Sequence, residues 1–127
     1  MDLIMTNKTI YNINLDTKFG FLKHINIPAI VEECKEDWFN QTLCEVNDCV
    51  VRLGILKGEF HWHKHDNEDE FFLVLEGQLV IELENEVITL YQHEGFTIPK
   101  GILHKTLAPE KVVVIMIEGA NVKPTGD

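Results

Sequence analysis

The chain has 127 residues, 45% of them hydrophobic and 25% charged. At this length one core buries about two thirds of the surface an unfolded chain exposes, so no disulfide staple is needed. Eleven Lys and Arg stand against 21 Asp and Glu, a net charge of −10; nucleic acid and anionic membrane both need positive charge over a face and are not expected partners. A pocket can differ from the surface as a whole, so an anionic small molecule is not excluded. Arg52 is the one arginine. No apolar run approaches the roughly 20 residues of a membrane span, and residues 1–8 lack the basic-then-apolar order of a secretory signal. Cys34, Cys44 and Cys49 form no Cys-x-x-Cys pair and read as reduced thiols of a cytoplasmic protein.

No repeat, low-complexity tract or linker divides the chain, so a single domain over 1–127 is expected. In chain order, Asp16-Thr17-Lys18-Phe19 has the composition to cap a short helix, and 28–39 reads as one or two helical turns. Segments 43–46 and 49–56 are rich in β-formers and flank Asn47-Asp48, a turn. Segment 71–75 is apolar throughout, and Glu76-Gly77-Gln78 then turns the chain. Leu79, Ile81 and Leu83 alternate with Val80, Glu82 and Glu84, a strand with one buried face. Asn85-Glu86 turns into 87–90, 96–98 runs to Pro99-Lys100-Gly101, and 112–117 is six apolar residues in a row. Short strands at spacings of roughly 8–12 residues predict an all-β antiparallel sandwich or barrel with little helix. The runs 71–75 and 112–117 are apolar on both faces: one can line a barrel, and the other must meet a second sheet or another subunit, so a homodimer is expected.

Titratable residues concentrate in two segments. Residues 60–77 read Phe-His-Trp-His-Lys-His-Asp-Asn-Glu-Asp-Glu-Phe-Phe-Leu-Val-Leu-Glu-Gly, and 95–104 read Gly-Phe-Thr-Ile-Pro-Lys-Gly-Ile-Leu-His. Side chains at i and i+2 of a strand share a face, so His63 and His65 can aim two imidazoles at one point. Glu70 starts the next strand and can return a carboxylate there, while Pro99 and Gly101 set a tight turn that delivers His104. Three neutral imidazoles and a carboxylate suit a divalent first-row metal ion.

These two segments resemble the paired sequence motifs of the cupin superfamily, small barrels of jelly-roll or double-stranded β-helix type. The resemblance covers about 43–118, which leaves 1–42 as an N-terminal arm with edge strands and 119–127 as a tail. It places the family's four metal ligands on His63, His65, Glu70 and His104, and implies one divalent transition metal ion, Zn, Mn, Fe or Ni. Glu68 is the alternative carboxylate, but the six-residue interval before Gly77 favours Glu70. His61 shares the phase of the two histidines and lies outside the ligand pattern, so a packing or rim role fits it better than a proton shuttle. Phe72 and Val74 keep the phase of Glu70 and are expected to line the pocket; Trp62 and Lys64 face the other way, and His24 and His93 are expected on the surface. The ending Val122-Lys-Pro-Thr-Gly-Asp127 is similar to that of single-domain cupins often labelled mannose-6-phosphate-isomerase-like. Two places depart from the motifs: Lys57 stands where a glycine often opens the first, and Ala108 where an asparagine often ends the second. Neither supplies a metal ligand.

Four protein donors on an octahedral ion leave two positions open. Three functions are compatible with that: a metal-dependent isomerase or dioxygenase acting on a small polar metabolite, a non-catalytic module that binds or senses a sugar or carboxylate, and a protein that keeps its metal only for stability. Isomerisation needs a general base besides the ligands, and His61 is the nearby candidate.

Overall fold

A computed structural model of the chain describes residues 2–6 and 9–127, with side chains from Tyr11 onward. Met1, Asn7 and Lys8, part of the segment read above for a secretory signal, lie outside the described residues. The strands are β1 (Asp2–Thr6), β2 (Thr9–Asn14), β3 (Trp38–Val46), β4 (Cys49–Glu59), β5 (Glu70–Glu76), β6 (Leu79–Leu83), β7 (Val87–Leu90), β8 (Gly95–Ile98) and β9 (His104–Gly119), with one short helix, α1 (Ile27–Glu33). They pair in the order β1-β2-β3-β4-β9-β5-β8, with β6 bonded to both β7 and β9. β9 ties the halves together: its beginning pairs with β6, and its second half lies between β4 and β5. This is the expected all-β double-stranded β-helix. No described helix is long and apolar enough to cross a membrane.

Strict alternation sorts the strands into two faces. Leu56 of β4, Phe72 and Val74 of β5, and Val112, Val114 and Met116 of β9 point into the barrel, where they join Leu79, Ile81, Leu90 and Ile98. Each such fully buried aliphatic side chain contributes roughly 1.5–3 kcal/mol. Leu53, Ile55, Val113 and Ile115 point outward and are still buried, because Phe19, Ile25, Ile27, Ile30 and Val31 pack over them. Part of the cover that the doubly apolar strands require is thus supplied within the chain, by the segment around α1, while Ile117 remains exposed.

α1 forms because Asn26 caps it, its side chain accepting from the Ala29 N–H at 3.1 Å, and because Pro28 suits the first turn. Its seven residues make the two turns expected within 28–39, and it stops where Cys34 becomes extended, ahead of Trp38 and Phe39, which already belong to β3. No helix forms at Asp16–Phe19. There the backbone N–H groups of Lys18 and Phe19 donate to the carbonyls of Thr42 and Leu43, at 3.0 and 2.9 Å, and hold the chain as a bend against β3. The strands at 43–46, 49–56 and 112–117 all extend beyond their apolar runs, because pairing, not hydrophobicity alone, sets where a strand stops. The turn at Gly77 has φ +87°, and an added Cβ would lie 2.6 Å from the Lys111 carbonyl oxygen, so only glycine fits.

Candidate metal centre

His63 and His65 lie in the irregular stretch between β4 and β5, not on a regular strand. The chain there stays extended because His63 exchanges two backbone hydrogen bonds, both 2.9 Å, with His104 at the start of β9. The Gly101 N–H donates to the His65 carbonyl at 2.8 Å, which fastens the Pro99–Gly101 turn to the same stretch. Glu70 opens β5 facing inward, as its phase requires. Three segments far apart in sequence therefore bring His63, His65, Glu70 and His104 together, all buried, with one ligand-type atom of each within 4.8 Å of the others.

The details fit a cation. His63 Nδ1 and His104 Nδ1 donate to the carbonyls of His61 and Ile102, both at 2.9 Å, which leaves Nε2 of each ring as the lone-pair nitrogen. Glu70 Oε1 lies 3.4 Å from His65 Nε2 and 3.5 Å from His104 Nε2. Bonds of about 2.1 Å to one ion put adjacent donors about 3 Å apart, close to these separations. His65 Nε2, His104 Nε2 and Glu70 Oε1 are buried without a hydrogen-bond partner, and orphaned polar atoms of this kind are costly unless something absent from the polypeptide satisfies them. The arrangement is consistent with metal binding.

Charge is distributed to match. Burial, with His104 beside it, lowers the pKa of His63 to about 4, so this ring is neutral and ready to coordinate at physiological pH. Burial opposes a charge on Glu70, but contacts with His104, His65 and Glu118 outweigh it and hold this carboxyl below the usual carboxylate range. Glu118 is paired with Glu70 across β9 and β5. Burial, and then the Glu70 carboxylate, push Glu118 well above that range, so of the two carboxyls Glu70 keeps the charge and Glu118 the proton.

Sequence reasoning missed Glu118 and Arg52. The Arg52 Nε donates to Asn40 Oδ1 at 3.0 Å and lies 3.2 Å from Glu118 Oε1, while its Nη1 donates to Thr42 Oγ1 at 2.7 Å. The clue was strand phase: Arg52 occupies an inward position between Val50 and Gly54, and Glu118 continues the inward series of Val112, Val114 and Met116. A void of about 30 Å³ lies beside the ligands, lined in part by His63, Glu70, Phe72, Glu118 and Pro124.

The remaining residues fall as follows. His61 turns toward the tail, its Nε2 2.7 Å from the Thr125 carbonyl and its ring 4.2 Å from that of Phe60. The Asp127 N–H donates to the Lys64 carbonyl at 2.9 Å, and Asp127 Oδ2 accepts from the Asp66 N–H at 2.7 Å, so the tail crosses the ligand stretch. Glu68 lies against Gly119, outside the cluster. Trp62 is exposed, Lys64 pairs with Asp66, and His24 and His93 are at the surface. All three cysteines are free; Cys34 and Cys44 are half-buried and Cys49 exposed.

Comparison with known proteins agrees with this architecture. Residues 51–118 match the model of the cupin domain family. The uncharacterized protein YdbB of Bacillus subtilis (strain 168) is 40% identical over 94 residues, which cover 73% of this chain and 83% of that one. The crystal structure of a cupin-2 domain containing protein from Shewanella frigidimarina is 37% identical, superposes with a TM-score of 0.71, and covers 75% of this chain and 93% of its own. That of KdgF from Halomonas sp. is 21% identical with a TM-score of 0.63, over 72% of this chain and 86% of its own, and speaks to the fold alone. A mannose-1-phosphate guanylyltransferase of Sinorhizobium fredii is 27% identical over 70 residues, 54% of this chain and only 14% of that enzyme. With its paired motifs folded into one barrel and its family match spanning both of them, the chain belongs to the cupin domain family.

Proposed function

We propose that this cupin holds one divalent transition metal ion through His63, His65, Glu70 and His104, and uses it to act on a small polar metabolite. The carrying observation is the set of buried, partnerless donor atoms on His65, His104 and Glu70. A bound ion of this kind supplies Lewis acidity toward a carbonyl or hydroxyl oxygen, and iron would add dioxygen chemistry. The chain's own residues supply the rest. Trp38, Phe60, Phe72 and Met116 give the void an apolar wall, and Glu118, in the same wall, is a carboxyl group able to hold or release a proton. This gives an isomerase or dioxygenase reading the acid–base group it needs, a role for which His61, bonded to Thr125, is less well placed.

A non-catalytic sugar- or carboxylate-binding module is the second reading. The mannose-6-phosphate-isomerase-like character rests on the similarity of the tail and on the partial match to the guanylyltransferase, and we take from it only a polar metabolite. Three free thiols support a reducing compartment, the cytoplasm.

Metal analysis of protein purified without a histidine tag tests the core of the proposal. About one ion per chain in the parent, and none in His63→Ala or His104→Ala, is the expected result. Unchanged metal in both variants would overturn the assignment. A metabolite screen by thermal shift, with and without chelator, then separates the readings: turnover of a stabilising compound marks an enzyme, and tight binding without turnover a sensor.

A further inference from the structure

An open groove of about 760 Å³ lies outside the barrel, between α1 and strands β5 and β9. Ile27, Val31, Leu75 and Val113 make it apolar, and the carboxylates of Glu32 and Glu76 stand in its lining. Beside it the chain makes a turn at Phe21-Leu22, which leads into the groove through His24. Phe21 and Leu22 themselves stay outside, 78% and 104% exposed.

A single exposed apolar side chain is ordinary, but here two adjoin on a strained turn. Leu22 holds φ +62°, a conformation that residues with a Cβ seldom adopt unless something holds them there. A side chain fully open to solvent gains nothing from its own chain in return. The turn also reverses the local charge. Lys18 and Lys23 flank it, and residues 17–26 hold no Asp or Glu, in a chain with a net charge of −10. Among the described residues, no ion pair engages Lys18, Lys23, Glu32 or Glu76. A basic turn with an apolar tip and an apolar groove with acidic side chains are complementary surfaces.

We propose that the groove receives the Phe21-Leu22 turn of a second copy of this chain, in a twofold dimer where each copy gives its turn and accepts the other's. One chain carries both halves of the contact, as a twofold-symmetric interface requires. A phenylalanine buries roughly 150–250 Å². Two apolar side chains per turn, with the groove surface they cover and over both copies, remove on the order of 1,000 Å² from water, the lower limit of specific association. The dimer is therefore a micromolar one, and it is independent of the metal centre.

Sedimentation equilibrium of untagged protein, up to about 1 mM, is the test. The parent should dimerise, and Phe21→Ser combined with Leu22→Asn should weaken dimerisation more than about tenfold. The melting temperature of the dilute monomer should not fall, since both side chains are exposed and asparagine accepts a positive φ. Lys18→Glu with Lys23→Glu, and separately Glu32→Lys with Glu76→Lys, should each weaken self-association about tenfold; all four side chains are exposed. Mixed in equal amounts, the two charge-reversed chains should pair with each other near the parental Kd, because each turn then meets a groove of opposite sign. A parent that stays monomeric, a dimer indifferent to Phe21 and Leu22, or charge-reversed chains that fail to rescue each other would overturn the proposal.

Discussion

Strands β4, β5 and β9 build two faces by the same alternation and fill them with opposite materials. Outward, Leu53, Ile55, Val113 and Ile115 are uniformly apolar and are capped by α1 and its flanks. Inward, the same strands carry Arg52, Glu70 and Glu118 among Leu56, Phe72 and Met116. Buried ionisable groups seldom stabilise a fold, because desolvation consumes much of what pairing returns. The outer face carries no such cost, and this lets the inner face hold groups chosen for chemistry. One layer secures the barrel and the other equips it.

Truncating the outer face is the strongest test of that division. Leu53→Ala should cost about 2–5 kcal/mol in chemical denaturation, with metal content unchanged below the transition. Loss of metal in the folded variant would break the separation. Metal removal should act through the inner face alone. With the ion a hundred- to thousandfold above its Kd, the holoprotein should gain about 3–4 kcal/mol over chelated protein. His104→Ala should show no difference with and without chelator in a thermal melt.

Acid should report on the inner face next. Folded His63 stays neutral down to about pH 4, whereas an unfolded histidine takes a proton near 6.5. Lowering the pH therefore favours the unfolded metal-free chain: the contribution of His63 is whole above about pH 6.5 and is lost between there and about 4, about 3 kcal/mol in all. Glu118, displaced upward, works in the opposite direction, so the reading is a difference. His63→Gln in chelator should show a shallower acid decline than the parent, and parallel curves would place the slope elsewhere. The smallest effect is expected at the tail. Gly126 has φ +92°, and a Cβ there would press on His63. Gly126→Ala should push the tail outward and speed metal transfer to a chelator by a few-fold, with little change in melting temperature.

Much of this was legible in the residues. Alternation at 79–84 and the turns at Asn47 and Gly77 announced the barrel, and two short motifs named all four converging donors. What the sequence concealed was tertiary. Arg52 and Glu118 sit within or beside apolar runs whose phase, not composition, turns them inward, and their meeting depends on the pairing of β4, β9 and β5. Residues 16–19 carry capping composition, yet the free backbone groups of β3 competed for them and won. The cover on the outer face came from an arm whose pattern is too short to declare its destination.

The tail has a practical bearing on how the protein is handled. Thr125 and Asp127 are bonded to the stretch that carries His63 and His65, and Gly126 packs against it, so the last residues belong to the wall of the metal centre. An affinity handle fused behind Asp127 would pull on that wall, and a polyhistidine one would also bring rival imidazoles to it.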